Sequence, residues 1–455
     1  MTTQQQVTAD ALTEAYLDGF AASGVAPSKI LDAVLPCTVD TTYFGRSLSR
    51  PVFLSYQQIE QLGADLRRLH EALTALPQRV FGGSMTAFAR AVGITETQIE
   101  LVLRGASGPA SKMSRADMYL DEQGFRVLEM NYGAALGGLD GSVLNKVMAE
   151  QPFIGDFIRQ HHLGYVDPLD GLAATLFDEC RLAPGSRPVV ALADWPASFE
   201  SLEQSLYQSA AVLAPYGLQC YPCHVGQLRY ADGRVWLGER AIDVVYRLFL
   251  MEDLLDPTGP GLIDPVLQAA ERGEVALFTP MDADLYGSKG ALALLSDEQY
   301  RHCYTDEELA SLDRILPWTR MVRPGPVTVP GEATGSGRSV ELFEYALAEQ
   351  HELIIKPTMM HGGIGVVPGW LTGADEWRQQ LEAAMDSPYV LQRRVRPTAE
   401  WFPADEGPQE WSLNWAAFFG SLGYGGMYVR GTRDPDQTVN MNTGATGTCC
   451  FHPMG

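Results

Sequence analysis

Residues 115–139 read RADMYLDEQGFRVLEMNYGAALGGL. The side chains alternate with a period of two on both sides of Glu122-Gln123-Gly124. That pattern predicts a hairpin with strands Arg115 to Asp121 and Phe125 to Asn131. A three-residue turn at 122–124 would set Asp117 directly opposite Glu129. Glu129 would share a face with Asn131, because strand side chains alternate. Arg115, two residues before Asp117, falls on the face of Asp117. Two carboxylates across a strand pair repel each other. A cation between them removes the repulsion, and carboxylates with an amide carbonyl suit magnesium. The alternative is a solvated hairpin face, where the repulsion costs little. Beyond Asn131 the chain enters a small-residue loop, Tyr132 to Gly138, of the kind that lets backbone amides approach a ligand.

On the N-terminal side, the first ~110 residues read mainly as helix. Ile59, Leu62, Leu66, Leu69, Leu73 and Leu76 recur at three- and four-residue steps after a capping Ser55. On the C-terminal side, residues 187–280 alternate strand and helix as a small α/β unit. Strands are expected at Arg187 to Asp194, Ala241 to Phe249 and Val275 to Thr279, with helices through Leu202–Leu213 and Leu262–Glu271. A hairpin is expected to turn at Asp232-Gly233. A Pro/Gly/Ser-rich stretch, Arg323 to Arg338, reads as a loop or hinge. Strand Leu353 to Pro357, a glycine loop, helix Asp375 to Met385 and strand Tyr389 to Val395 follow. Glycine-punctuated strands fill Glu410 to Cys450. The fold class is α/β (α+β).

Two lysines occupy unusual places. Lys289 opens a helix-like run, where a cation is unfavourable unless an anion lies close. Lys356 ends the otherwise apolar strand Leu353-Ile354-Ile355, so its charge needs a partner, either a phosphate or a buried carboxylate. The glycine loop His361-Gly362-Gly363-Ile364-Gly365 can fold over phosphates or serve as a plain turn. It is not a Walker loop. The strand Tyr389 to Val395, with Gln392 and Val395, turns polar at its end and could offer backbone groups to an adenine edge. Arg115, Arg247 and Arg430 are guanidinium candidates for a carboxylate or phosphate. Each also fits a structural salt bridge. Asn440, Asn442 and Gly444 form a further ligand-capable loop.

The chain has 455 residues, enough for two or three domains, and a net charge of -23. An acidic surface disfavours nucleic acid and anionic membranes. The N-terminus lacks the features of a signal peptide and no run is long enough for a transmembrane helix, which predicts a cytoplasmic protein. The seven cysteines are sparse. Cys220 and Cys223 form a CxxC inside a strand-like run without a second pair, so packing explains them better than zinc or redox chemistry.

Taken in order, these segments resemble the circularly permuted ATP-grasp ligases, eukaryotic-type glutathione synthetase and the synthetase domain of glutathionylspermidine synthase. RADMYLDEQGFRVLEMNYGAALGGL is similar to their acidic segment, which implies magnesium ligands at Asp117, Glu129 and Asn131. DLYGSKGALALL resembles the segment carrying the first ATP lysine, Lys289. LIIKPTMMHGGIGVV resembles the second lysine and lid loop, with Lys356, Gly362 and Gly363. YVLQRRV resembles the strand that holds adenine, around Gln392 and Val395. GGMYVRGT followed by VNMNTGA is similar to the closing segment, where Arg430 would hold a substrate carboxylate. One departure stands out: in glutathione synthetase the lid loop carries an acidic residue, and here it reads Thr358-Met359-Met360-His361.

The resemblance implies ATP and Mg2+ as cofactors. A carboxylate would take the γ-phosphate as an acylphosphate, and an amine would displace it to give an amide. Arg115, Arg247 and Arg430 would hold the acid and the acylphosphate. The acid and amine would be small molecules, by default amino acids or peptides. Relatives are often dimers, which allows a homodimer. The implied division is a helical scaffold (1–110), a metal-binding part of the body (111–170), an α/β substrate domain (171–280), and the rest of the body (281–455) with a mobile lid at about 339–395. A phosphotransferase and a non-catalytic nucleotide sensor are the rival readings.

Overall fold

The computed structural model describes residues 7–38, 46–106, 109–136, 140–256, 258–330, 337–360, 362–439 and 444–454. Gly137, Gly138, residues 331–336 of the proline-rich stretch, His361, Asn440 and Asn442 lie outside the described residues.

The long N-terminal helix runs Tyr56–Phe81. Ser55 and Gln58 close a reciprocal capping box at its start, and Gly82 ends it in a left-handed conformation. Its leucine stripe is buried in one continuous core with the largest sheet. That sheet has eight strands. Its main path runs Val52–Phe53, Thr446–Pro453, Gly423–Thr432, Gln409–Gly420, Ser114–Asp121, Gly124–Tyr132. The N-terminal segment therefore supplies an edge strand, pairing Val52 and Phe53 with Cys450 and Phe451 in parallel.

One face of this sheet changes character along its strands. Ala416, Tyr428 and Cys449 stand in one row and are buried with Leu144, Met148 and Leu172 of helices Asp140–Glu150 and Pro168–Glu179. Asp117 occupies the same row beside Ala416. Two residues further along come Asn414 and Arg430, directly paired. The apolar half of the face binds helices, and the polar half borders a cavity.

A second sheet orders Thr319–Met321, Tyr389–Arg393, Leu353–Pro357, Val367–Pro368, all antiparallel. Leu353, Ile355 and Leu391 pack with Trp377 and Leu381 of helix Ala374–Met385. Alternation sends Ile354, Lys356 and Gln392 to the opposite face, and all three line the cavity.

The α/β unit is a four-stranded parallel sheet ordered Ala276–Phe278, Val244–Arg247, Val189–Asp194, Gln219–His224, with helices Pro196–Leu213 and Gly259–Glu271. The expected strand at 241–249 is split: Arg240–Ile242 joins a separate three-stranded sheet, and Val244–Arg247 joins the parallel one. The hairpin turn at Asp232-Gly233 is present, with φ of 54° and 72°. Burial pushes the Cys220 and Cys223 thiols up to about 12, so neither is a thiolate at neutral pH. Among the described residues no helix is long and apolar enough to cross a membrane.

Candidate functional site

The acidic hairpin pairs Asp117 with Glu129 and Arg115 with Asn131. The pairing follows from two compensating features. The turn is tighter than expected, with Asp121 paired to Gly124, and a bulge at Leu128 then restores the register. Asp117 and Glu129 do stand opposite each other, and cationic side chains answer the repulsion. Arg115 donates to Asp117 through Nε and Nη2 at 2.8 and 3.1 Å. Arg430 Nη2 donates to Asp117 Oδ2 at 2.5 Å. Lys289 Nζ lies 3.2 Å from Glu129 Oε2. Glu129 is thus the anion that the lysine at the start of helix Lys289–Ser296 requires. The same ammonium donates to the Met360 carbonyl at 3.0 Å, which ties the glycine loop to the hairpin.

Lys356 is arranged differently. Its Nζ donates to Gln392 Oε1 at 2.7 Å and to the Leu128 carbonyl at 3.4 Å, both neutral groups. Among the described residues no carboxylate pairs with it; Glu129 and Asp117 act on it from longer range. Burial lowers its pKa to about 8, against the pull of Glu129. A buried ammonium without a contacting counterion is expensive, and a bound anion would remove that cost.

These groups line one cavity of about 430 Å³. Eleven of the twelve candidate residues meet there: Arg115, Asp117, Glu129, Asn131, Lys289, Lys356, Gly362, Gly363, Gln392, Val395 and Arg430. Among the described residues, seven basic side chains line it against three acidic ones, in a chain of net charge -23. The site therefore concentrates positive potential where the rest of the protein is negative, as a polyanion requires.

Two candidate residues are placed differently from the rest. Arg247 is outside the cavity. It is fully buried and spends its donors on the carbonyls of Thr279, Phe249 and Pro280 and on both oxygens of Asp284. No N–H remains for a ligand. Gln392 reaches the cavity, but its amide is engaged by Lys356, Thr319 and Leu128. It orients the lysine, and any contact to a base must come from the strand's backbone.

The donor chemistry also tests the magnesium expectation. Three of the four acceptor positions of Asp117 already take guanidinium N–H groups, so a metal there would compete with two arginines. Glu129 and Asn131 fit better. Asn131 Nδ2 donates to the Arg115 carbonyl at 3.5 Å, leaving its amide oxygen as the atom suited to a hard cation. Among the described residues no three or more His, Cys, Asp or Glu gather as a metal cage. One carboxylate plus one amide, completed by phosphate oxygens and water, is a usual magnesium–nucleotide arrangement.

Several lining residues carry no sequence motif. Trp370 Nε1 donates to the Asp436 carbonyl at 3.0 Å, Arg394 stacks on Trp370 at 4.1 Å, and Arg394 pairs with Asp436 at 2.8 Å. This clasp joins the second sheet to the 433–439 segment, which walls the cavity. Ser412 and Asn414 also line it. Their signal was readable: two polar residues at alternate positions in the otherwise apolar run around Leu413-Trp415-Ala416.

No family model and no curated protein matches the chain. Among solved structures, a glutathione synthetase-like effector from Globodera pallida, in its apo form, is similar over 98% of both chains with a TM-score of 0.55 at 12% identity. A protein described as a γ-glutamylcysteine synthetase from Methylobacillus flagellatus matches over 86% of this chain and 88% of its own, with a TM-score of 0.43 at 13% identity. A D-cycloserine synthetase matches over 52% of this chain and 90% of its own, with a TM-score of 0.25 at 12% identity. The effector's near-complete coverage establishes the fold: a mixed α/β architecture of the glutathione synthetase-like type.

Proposed function

We propose that the protein is an ATP-dependent carboxylate–amine ligase of the circularly permuted ATP-grasp kind, forming an amide through an acylphosphate. The observation that carries this reading is Lys356, a buried lysine held by neutral groups in a cation-rich cavity. It is built to receive an anion that no described residue places in contact with it.

In this reading Lys289 and Lys356 hold the phosphates of ATP. The adenine lies along Ile354, Val366 and the backbone of 393–395, under the loop at Gly362 and Gly363. These glycines adopt φ of 65° and 81°, where a Cβ is strained. Glu129 and Asn131 would hold Mg2+, which neutralises the triphosphate when bound. Arg115 and Arg430, aligned by Asp117, hold the acid. A carboxylate oxygen attacks the γ-phosphorus, and the bond to ADP breaks. The amine nitrogen then attacks the acyl carbon and phosphate leaves. The small sheet with its helices, about 339–395, acts as the lid that keeps water from the acylphosphate. The parallel α/β unit at 171–280 is the substrate domain. The acid and amine are small, amino acids or peptides by default, and the enzyme is a cytoplasmic protein able to form a homodimer.

The test is to incubate the protein with MgATP and pooled carboxylic acids, with and without hydroxylamine. Carboxylate-dependent ADP formation with a hydroxamate is expected. AMP in place of ADP would overturn the acylphosphate route. ATP binding without ADP would favour the sensor reading.

The pKa of Lys356 adds a second expectation. The ammonium attracts the nucleotide, and the nucleotide in turn stabilises the ammonium. Affinity should be full below pH 8 and fall as pH rises through about 8, by roughly tenfold per pH unit at the steepest. Calorimetry in buffers of different ionisation heat should register proton uptake on binding in that range. Lys356→Arg should remove the inflection, because a guanidinium does not titrate there. A wild-type affinity that stays flat from pH 7 to 9.5 would contradict this account.

A further inference from the structure

Arg247 and Asp284 lie outside the cavity, yet a turn that holds the cavity-lining Arg115 rests on them. Gly133 opens the short turn Gly133–Leu136 that ends the acidic hairpin, with φ of 71°. A Cβ at 133 would overlap the Asp284 carboxylate and press on the Arg247 guanidinium. The backbone therefore sits directly on the ion pair. At the other end of the turn, the Leu136 carbonyl accepts a hydrogen bond from Arg115 Nη1. Arg115 then clasps Asp117, and Asp117 accepts from Arg430.

We propose that Arg247 and Asp284 are positioning residues: they hold the Gly133–Leu136 turn so that its last carbonyl aims Arg115, and through Asp117 also Arg430, into the cavity. The inference rests on the ligase reading only for the ligand the two arginines receive, a carboxylate.

Three further observations support it. The pair is immobilised, because every Arg247 N–H is used and Arg247 is fully buried. Next to it, Thr279 is buried with φ of 54°, a left-handed conformation that a β-branched residue adopts only when its surroundings force it. Its hydroxyl donates to the Arg247 carbonyl at 2.8 Å, and its own carbonyl accepts from Arg247 Nε at 2.6 Å. The turn is also held from the hairpin side. Tyr132, immediately before Gly133, bonds through its hydroxyl to His70 Nδ1 at 2.8 Å. Burial lowers the His70 pKa to about 4, so this contact does not change charge near neutral pH.

The test follows the side-chain Nε–H signals of Arg115 and Arg247 by NMR on arginine-labelled protein. Arg115→Lys and Arg247→Lys identify the two signals. In folded Arg247→Lys and Asp284→Asn proteins, the Arg115 signal should shift and exchange roughly tenfold faster, with sheet amides still protected. An unchanged Arg115 signal would sink the idea. Steady-state kinetics supply the functional arm. The KM for the carboxylate should rise roughly tenfold while the KM for ATP stays within about twofold, and Asp284→Glu should recover part of the loss. If both constants rise alike, the pair is merely structural. Should the wild type show no carboxylate-dependent turnover, the ligase reading fails while the exchange data still decide the positioning role.

Discussion

Lys356→Met should abolish ATP-dependent turnover without weakening the nucleotide-free fold. The lysine is buried at the end of an apolar strand, and its direct partners among the described residues are the Gln392 amide and the Leu128 carbonyl. Holding its pKa near 8 instead of 10.5 means that the folded state spends on the order of 3 kcal/mol to keep the ammonium charged at pH 7. Methionine has a similar shape and no charge, so that cost disappears. Against this, Gln392 loses its acceptor role, worth about 1–3 kcal/mol if the oxygen stays dry. The two roughly balance, and the thermal midpoint should be unchanged or slightly higher. Nucleotide binding should fall by about a hundredfold or more, since one desolvated cation facing phosphate is worth several kcal/mol. Loss of stability and binding together would mean that Lys356 is a structural residue.

This combination separates a functional cation from a structural one. Arg247 is buried more fully still, and its charge is answered inside the protein by Asp284. Lys356 has no such answer among the described residues. A residue that costs stability in the empty protein is retained because of what it binds. The net positive lining of the cavity, inside a chain of net charge -23, extends the same logic from one side chain to the whole site.

The sequence was most readable where local physics governs. The capped helix at Ser55, the hairpin turn at Asp232-Gly233 and strand Leu353 to Pro357 depend on neighbours in the chain. The opposition of Asp117 and Glu129 was legible in outcome, although a tighter turn and a bulge produced it together. What period-two alternation could not supply was the partner of each charge. Arg115, Arg247 and Arg430 look alike in sequence, each an arginine in or beside an apolar strand. Only the tertiary fold turns Arg247 toward Asp284, 37 positions away, and brings Arg430 to Asp117, 313 positions away. The Trp370–Arg394–Asp436 clasp was invisible for the same reason. The split at 240–247 was missed because two short apolar strands in different sheets read as one run.

Asp117→Asn should produce the second large effect, and it distinguishes two roles for this carboxylate. As a magnesium ligand, Asp117 would matter chiefly to the loaded enzyme. In the geometry found, it is the shared counterion of two guanidinium groups, both largely buried with it. Removing its charge leaves Arg115 and Arg430 facing each other in a low-dielectric site. The expected result is a loss of about 3–5 kcal/mol in the nucleotide-free protein, seen as a lower denaturant midpoint. Excess sulfate should restore part of that stability by taking the place of the carboxylate between the arginines. Magnesium should restore none of it. Glu129→Gln is the contrasting variant. Its pair with Lys289 joins a buried ammonium to a carboxylate that is 31% exposed, so the midpoint should fall, by about 1–3 kcal/mol, less than for Asp117→Asn. The magnesium concentration for half-maximal turnover should also rise roughly tenfold. If Asp117→Asn is as stable as the wild type and recovers turnover in high magnesium, Asp117 is a metal ligand and the arginines find their counterion elsewhere.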